Sequence, residues 1–469
     1  MWIESHCIQL SIFALFGAYV YYFFNDHRNH IEFKLVQVQT FFRHGARTPI
    51  HHVKTPLTEA QWTPETTKDI PEILIAVKYI DIIDGTPIEE NSEKFHGNKI
   101  LPGGETVGVL TTQGQKDLYD LGVQMRKAYA GPGGILSDPP KITEIETRST
   151  RVQRNLKSMR SLIAGLTNGH IDGTLEIPST NYDEEILYPN LKLNNDIGAF
   201  YEGVEELQQN VGLKELKEKI KKALMVDSLV DEFDSDPEKH LKDCQVYYVR
   251  DDFAARKHHG FPIPKRLAEL EGDIDYYSAV EILSEILGKQ EAWRSRLDIN
   301  IGPVLHIILS KMLNYTNNPP LQLYAVHDSS ILPILLALDS WDETWPPFAA
   351  DITFELHLQT SGPSYKPSSL NKIVEFEPNS QFDWSSISFE RLWVRVLYLG
   401  QPLPLTSTWM KGEVDLVEMV GSDDFIPLAE FVRRLAPFTL SMEDFQVKCQ
   451  ENVSKLAMDH RKPRSPMAI

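Results

Sequence analysis

Hydrophobic and polar residues alternate in several short segments of the chain and predict β-strands. In residues 34–42, Val36 and Val38 alternate with Gln37 and Gln39, so this strand has one apolar face. Further strands are predicted at residues 141–147, 321–326, 352–358 and 392–399. The last two segments both alternate, and we expect them to pair as neighbours in a sheet.

Helical spacing occurs between these strands. Thr112 and Gln115 fit a capping box, and the apolar residues that follow predict a helix reaching Lys127. A second helix is expected after the strand at 141–147, and a third at residues 331–338. Near the middle of the chain an apolar stripe lies between lysines and glutamates at helical spacing and consists of Leu213, Leu216, Ile220 and Leu224.

This order of elements predicts an α/β fold with a mixed central sheet, helices on both faces and a smaller, mainly helical lobe. The chain has 469 residues, which exceeds the usual size of a single core. We assign the α/β core to residues 31–181 and 301–455, and the helical lobe to residues 182–300. Residues 359–390 are predicted to be a loop insertion, and residues 456–469 a flexible C-terminal tail.

The N-terminal 30 residues are predicted to contact a membrane. Residues 8–24 are uncharged and apolar, close to the minimum of about 17 residues for a membrane span. We therefore expect residues 1–30 to form a membrane anchor. A cleaved signal segment is the alternative, although Glu4 stands where a signal has its basic region. A buried N-terminal helix is the third reading.

Charge and cysteine content limit the classes of partner. The formal net charge of −19 excludes a nucleic-acid-binding surface, because such surfaces are basic. An anionic substrate must then be attracted locally, inside a cleft. The three cysteines Cys7, Cys244 and Cys449 are too few for a disulfide-dense scaffold. Whether Cys244 and Cys449 pair is left open.

The residues with the clearest chemistry follow three of the predicted strands. Residues 43–47 read Arg-His-Gly-Ala-Arg and place two guanidiniums around the imidazole of His44. Arginine matches phosphate oxygens, and a neutral imidazole can attack phosphorus. Arg148 follows the second strand, and His327 and Asp328 follow the third. Because open α/β sheets place their sites at the carboxyl ends of strands, we expect these residues to meet.

These motifs together resemble the acid phosphatase branch of the histidine phosphatase superfamily, which has a phosphoglycerate-mutase-like fold. The resemblance extends from about residue 33 to residue 449. Within that branch, five shorter segments are similar to the lysophosphatidic acid phosphatases, and they lie at residues 111–114, 148–155, 187–190, 325–328 and 345–349.

The resemblance implies a role for each candidate residue. His44 is expected to be the nucleophile, which forms a phosphohistidine, and Asp328 the proton donor. The expected phosphate-binding residues are Arg43, Arg47, Arg148 and His327. Arg151 departs from the family pattern, because relatives tend to carry an uncharged polar or acidic residue there. It is either an added phosphate contact or an outward-pointing charge.

The leading hypothesis is a phosphomonoesterase that needs no metal or other cofactor and hydrolyses lysophosphatidic acid to monoacylglycerol and phosphate. The chain lacks the zinc-protease, nucleophile-elbow, Walker A and C-x-x-C motifs. One alternative is an acid phosphatase for a sugar, inositol or protein phosphate. Another is a non-catalytic, membrane-tethered protein that binds a phosphate ligand, although such a protein needs no proton donor. A mutase or transferase ranks last, since that branch lacks the His327-Asp328 pair.

The expected setting of the protein follows from the same features. We expect a monomer that contacts the membrane through its N-terminal segment. The resemblance implies a mitochondrial location, and the lumen of the endoplasmic reticulum or Golgi is the alternative, because Asn314 and Asn452 each begin a glycosylation motif.

Overall fold

The structure is a computed structural model that describes residues 31–53, 60–90, 99–224, 245–362, 364, 389–410, 420 and 422–459. The predicted anchor at residues 1–30 and most of the predicted insertion at residues 359–390 lie outside the described residues. Within the described ranges, no helix is both long enough and apolar enough to cross a membrane. Cys449 is buried as a free thiol, and Cys7 and Cys244 are not described.

The described part of the chain contains nine strands. They are β1 (Phe33–Arg43), β2 (Val77–Asp81), β3 (Ile145–Ser149), β4 (Leu175–Ser179), β5 (Leu321–Val326), β6 (Asp351–Gln359), β7 (Leu392–Tyr398), β8 (Gln401–Pro402) and β9 (Phe425–Pro427).

Thirteen α-helices occur in the same described ranges. They are α1 (Thr112–Tyr129), α2 (Gln153–Thr167), α3 (Leu191–Asn194), α4 (Ile197–Gln209), α5 (Val211–Leu224), α6 (Val246–His258), α7 (Lys265–Ala268), α8 (Glu271–Leu287), α9 (Leu297–Leu313), α10 (Asp328–Ala337), α11 (Leu405–Trp409), α12 (Leu428–Leu435) and α13 (Met442–Asp459).

The chain divides into two compact units. The described residues of the smaller unit lie within Met1–Val36, Phe354–Val396 and Pro402–Arg434. Those of the larger unit lie within Gln37–Thr353, Leu397–Gln401 and Leu435–Ile469. All the candidate site residues belong to the larger unit.

The sheet of the larger unit brings the candidate site residues to one edge. Its strand order is β3–β5–β1–β6, and both β1 and β3 run parallel to β5. Arg43 is in register with Val326, and Ser149 with Ala325. The residues that follow these three strands therefore emerge together at the carboxyl edge. Every residue of β5 is buried, which explains why its sequence is apolar at all positions except Gln322.

The sheet contains parallel and antiparallel pairs and is therefore mixed, as predicted. Strand β6 neighbours β7, which confirms the pairing expected for residues 352–358 and 392–399, and β7 pairs antiparallel with β9. Trp393 and the two contacting rings of Phe354 and Phe431 are buried in this unit.

The middle of the chain is helical where the structure describes it. The predicted apolar stripe lies on α5, and all four of its residues are buried. They form one hydrophobic cluster with Val249 and Phe253 of α6. The predicted boundaries of the helical lobe, at residues 182 and 300, stay a prediction.

Three predicted element boundaries were wrong. The cap of α1 is Thr111, whose Oγ1 accepts the N–H of Gly114, because Thr112 and Gln115 instead donate to the carbonyl of Lys68. The strand expected at residues 141–147 starts at Ile145, since residues 142–144 form a 3-10 turn. The helix expected at 331–338 begins at Asp328.

Candidate active site

His44 lies immediately after β1 and is only 2% exposed. Its Nδ1 lies 2.9 Å from the carbonyl oxygen of Gly45. A carbonyl oxygen can only accept, so Nδ1 carries the proton and the lone pair is on Nε2. Burial lowers the pKa of His44 well below its usual value, and the guanidiniums of Arg154 and Arg43 lower it further. The imidazole is therefore neutral, and its Nε2 has the lone pair that a nucleophile needs.

The backbone after His44 is held against the start of α1. A Cβ on Gly45 would lie 2.1 Å from the carbonyl oxygen of Gly114, so only glycine allows this approach. The Gly45 N–H donates to Ser158 Oγ on α2, and the Ala46 N–H donates to Asp117 Oδ2 on α1. The segment that carries His44 is thus fixed between two helices.

Arg43 and Arg47 flank His44 and each has a carboxylate partner. Arg43 Nη2 lies 2.7 Å from Asp328 Oδ2, and Arg47 Nη2 lies 2.7 Å from Asp251 Oδ1. The centroid of the Phe348 ring lies 4.5 Å from Arg43 Cζ and 5.7 Å from Arg47 Cζ. Burial lowers the pKa of Arg43 to about 10, so it stays charged at neutral pH.

Arg154, at the start of α2, is one of the residues that the sequence did not assign to the site. It is 7% exposed, and its buried Nε has no hydrogen-bond partner among the described residues. Burial and the nearby Arg47 lower its pKa to about 9. A buried guanidinium without an anion is costly, so this one is poised to receive a ligand's negative charge.

Arg148 is placed differently from the other arginines. Its Nη2 and Nη1 lie 3.0 and 3.2 Å from the two carboxylate oxygens of Glu185, which is 1% exposed. A protein carboxylate therefore already pairs with the guanidinium of Arg148. The predicted contact of Arg148 with phosphate stays a prediction. Arg151 forms an ion pair with Asp81 at 3.4 Å.

His327 and Asp328 follow β5 and reach the same place as His44. The ring centroids of His44 and His327 are 5.8 Å apart. His327 Nε2 shares a 3.0 Å hydrogen bond with Thr150 Oγ1, and burial together with Arg154 lowers the pKa of His327 to about 3. His327 is therefore a neutral polar group.

Asp328 begins helix α10 and is a carboxylate in this structure. Burial alone would raise its pKa, but the charge of Arg43 and the neighbouring cationic groups outweigh burial and lower it. A proton donor must be protonated. The phosphate of a bound substrate would pair with Arg43 and weaken its ion pair with Asp328. This change would raise the pKa of Asp328.

A loop at residues 345–350 completes the site and was not assigned a role from the sequence. Trp345 Nε1 donates to Asp328 Oδ2 at 3.1 Å, and the carbonyl of Pro346 accepts from Arg43 Nη1 at 2.7 Å. The Ala349 N–H donates to the carbonyl of His44 at 3.1 Å. The Trp-Pro-Pro-Phe sequence was the only available signal.

Helix α6 supplies two further charged residues that sequence reasoning missed. Asp251 pairs with Arg47, and its Oδ2 accepts the backbone N–H groups of Ile50 and His51 at 2.6 and 2.9 Å. Arg250 pairs with Asp275 at 2.7 Å, and its Cζ lies 4.7 Å from the ring centroid of Trp345. No motif marks these positions.

The site therefore combines a neutral imidazole, several buried guanidiniums and the carboxyl groups of Asp328 and Asp251. Such a set suits transfer of a phosphoryl group, where the protein stabilises spread negative charge. In the described ranges no three His, Cys, Asp or Glu residues are grouped so as to hold a metal ion. The fold and site define a hydrolase of phosphate monoesters.

Comparison with known proteins places the chain in a family. The model of the histidine phosphatase superfamily, branch 2, matches residues 34–371. The bovine lysophosphatidic acid phosphatase type 6 is 27% identical over 90% of this chain and 87% of its own length. The human protein of that name is 31% identical over 69% of this chain and 74% of its own length. The chain belongs to the histidine phosphatase superfamily, branch 2, and is a histidine acid phosphatase.

A solved structure shows the same fold. The phytase from Citrobacter braakii superposes with a TM-score of 0.54, covering 89% of this chain and 99% of its own. The two sequences are 16% identical, so this likeness concerns the fold alone.

Proposed function

We propose that this phosphatase works through a phosphohistidine on His44 and that its substrate is lysophosphatidic acid. The observation that carries the mechanism is the position of His44 Nε2, whose lone pair is fixed by the bond from Nδ1 to the carbonyl of Gly45. Burial lowers the pKa of the ring, the surrounding guanidiniums lower it further, and the ring is therefore neutral.

In the first step, Nε2 of His44 attacks phosphorus and the bond from phosphorus to the ester oxygen breaks. Asp328 gives its proton to that oxygen, so the alcohol leaves neutral. The negative charge of the transferring group is stabilised by Arg43, Arg47 and Arg154.

In the second step, water attacks the phosphohistidine. The Asp328 carboxylate takes a proton from the water as its oxygen bonds to phosphorus, and the bond from phosphorus to Nε2 breaks. Inorganic phosphate is released, and both His44 and the protonated Asp328 are restored.

Two observations support the lipid substrate. The relatives that are named lysophosphatidic acid phosphatase align with most of this chain. The apolar segment at residues 8–24 fits membrane association, which belongs to the same proposal and would place the protein beside a membrane lipid.

The test measures phosphate release by the full chain in excess chelator from lysophosphatidic acid, glycerol 3-phosphate and inositol hexakisphosphate. We expect the lipid to have the highest kcat/KM. His44→Ala should lose about a thousandfold or more of the activity, whereas His170→Ala, at an exposed turn, should keep it. Wild-type protein that is denatured in alkali during turnover should contain a base-stable, acid-labile phosphate that is absent from His44→Ala.

The other outcomes identify the alternatives. Faster release from inositol hexakisphosphate would reject the lipid and keep the mechanism. Activity that survives in His44→Ala would reject the phosphohistidine. Binding of lysophosphatidic acid without any phosphate release would favour the non-catalytic phosphate-binding protein.

A further inference from the structure

The two carboxylate oxygens of Asp328 have different surroundings. Oδ2 accepts from Arg43 Nη2 at 2.7 Å and from Trp345 Nε1 at 3.1 Å. Among the described residues, Oδ1 accepts only from the backbone N–H of Ser329, at 2.9 Å. A carboxylate oxygen has two lone-pair directions, so Oδ2 is fully used and Oδ1 keeps one open.

We propose that Trp345 is a positioning residue that reserves Oδ2 of Asp328 as an acceptor and thereby makes Oδ1 the oxygen that carries the transferred proton. A proton on Oδ2 would point at the N–H groups of Trp345 and Arg43, which cannot accept it. This inference rests on the proposed role of Asp328 as proton donor.

Trp345 is suited to this task because its indole is neutral and firmly held. It is 9% exposed, and the guanidinium of Arg250 lies over its ring. The carbonyl of the next residue, Pro346, accepts from Arg43. When a substrate phosphate draws on Arg43, the indole still donates to Oδ2. It orients the carboxyl without adding a charge that would oppose its protonation.

The proton transfer has a defined direction in this arrangement. The proton leaves Oδ1 for the ester oxygen as the phosphorus–oxygen bond breaks and the bond from phosphorus to His44 Nε2 forms. Asp328 is left as a carboxylate whose Oδ2 retains the indole hydrogen bond. The charged and titratable groups that act on Asp328 during this step are Arg43, Arg47, Arg154, Arg250 and His327.

The test compares Trp345→Phe with wild type on two soluble esters. Glycerol 2-phosphate has a poor leaving group that needs the proton. The leaving group of p-nitrophenyl phosphate is p-nitrophenolate, which leaves almost without protonation. For Trp345→Phe we expect kcat/KM to fall about tenfold on the alkyl ester and less than about threefold on the aryl ester. The alkaline limb of the pH profile should move to higher pH, because the carboxylate loses a stabilising donor.

Two further variants make the result specific to the indole N–H. Trp341→Phe is the matched control, since Trp341 Nε1 donates to the carbonyl of Thr344 and not to Asp328. This variant should leave the ratio of the kcat/KM values on the two esters unchanged. Replacing Trp345 by β-(3-benzothienyl)alanine keeps the ring shape and removes only the N–H. It should show the same selective loss on the alkyl ester, and it keeps the test decisive if Trp345→Phe folds poorly.

Equal losses on both esters, or a pH profile that does not move, would overturn the proposal and leave Trp345 with a packing role. Neither ester is a lipid, so a wrong substrate assignment does not affect this test. Wild-type protein that hydrolysed neither ester would contradict the proposed mechanism as well as the role of Trp345.

Discussion

The arginines of this protein differ more in their partners than in their positions along the chain. Arg148 and Arg154 are separated by five residues, yet Arg148 is matched by Glu185 and Arg154 has no anionic partner among the described residues. Because a buried cation without a counter-ion destabilises the folded protein, we expect a bound phosphate to supply the counter-ion of Arg154.

Arg154→Ala should separate activity from stability. We expect kcat/KM for any phosphate monoester to fall about a hundredfold, since one stabilising charge is lost from the transition state. We also expect the melting temperature without phosphate to rise, because like-charge repulsion with Arg47 and Arg43 is removed. Phosphate-release kinetics and thermal unfolding measure the two effects.

Arg148→Ala is the matched comparison and should behave in the opposite way. It leaves the carboxylate of Glu185 buried without its partner, which lowers the free energy of unfolding by about 3–5 kcal/mol. Activity of the folded fraction should fall less than in Arg154→Ala. A larger loss of activity in Arg148→Ala than in Arg154→Ala would indicate that Arg148 contacts the phosphate.

At the scale of elements, helix α6 connects the middle of the chain to the site. Through Asp251 it binds the guanidinium of Arg47 and the backbone of Ile50 and His51 together. Helix α6 therefore supplies the counter-charge of Arg47 and also fixes the backbone of the segment that follows His44.

Asp251→Ala tests that connection. It leaves Arg47 buried and unpaired, so the free energy of unfolding should fall by about 3–5 kcal/mol in denaturant titrations without phosphate. Saturating inorganic phosphate should stabilise Asp251→Ala more than wild type, because the ligand supplies the missing negative charge.

The control for this variant is Asp273→Ala, an exposed position on helix α8. It should unfold as wild type does, with and without phosphate. The connection through α6 is disproved if Asp251→Ala matches Asp273→Ala, or if phosphate stabilises all the proteins equally.

The site could be predicted from the sequence where it lies at strand ends. The buried run of β5 and the alternation in β1 predicted that five residues would meet at one edge, since parallel strands end together. The structure brings these residues together, and they are Arg43, His44, Arg47, His327 and Asp328. These positions follow from local patterns alone.

The remaining site residues depend on boundaries and packing that such patterns do not contain. Assigning Arg148 or Arg154 to the site requires knowing that β3 ends at Ser149 and that α2 begins at Gln153. Helix α6 gave no signal because it buries charged residues beside its apolar ones, so it has no single apolar face. The contribution of the 345–350 loop appears only once the chain is folded.

At the scale of the whole molecule, one buried carboxyl group couples stability to pH. Glu281 on α8 is 1% exposed, and burial raises its pKa to about 7 even though Lys217 lies 3.6 Å away. Its usual pKa is 4.5. The unfolded chain therefore releases this proton at lower pH than the folded protein does.

Stability should accordingly fall as pH rises from about 4.5 to above 7. The contribution of Glu281 is fully present below pH 4.5 and is lost through its folded-state pKa, by up to about 3 kcal/mol. Glu281→Gln should remove this part of the slope when free energies of unfolding are compared at pH 5 and pH 8. The control Glu271→Gln, 38% exposed on the same helix, should keep the wild-type slope, and an unchanged slope in Glu281→Gln would contradict the assignment.

The hydrogen bond from Arg43 to the carbonyl of Pro346 joins residues 303 positions apart. His44 is synthesised early, but Asp328 and the loop that contacts both residues arrive only after about 300 further residues. A nascent chain therefore carries His44 before the rest of the site exists. Hydrolysis begins only when the long-range strand pairing of β1 with β5 has formed. Such pairing is a slow class of folding event. The moment at which activity appears during synthesis would therefore show when this unit has finished folding.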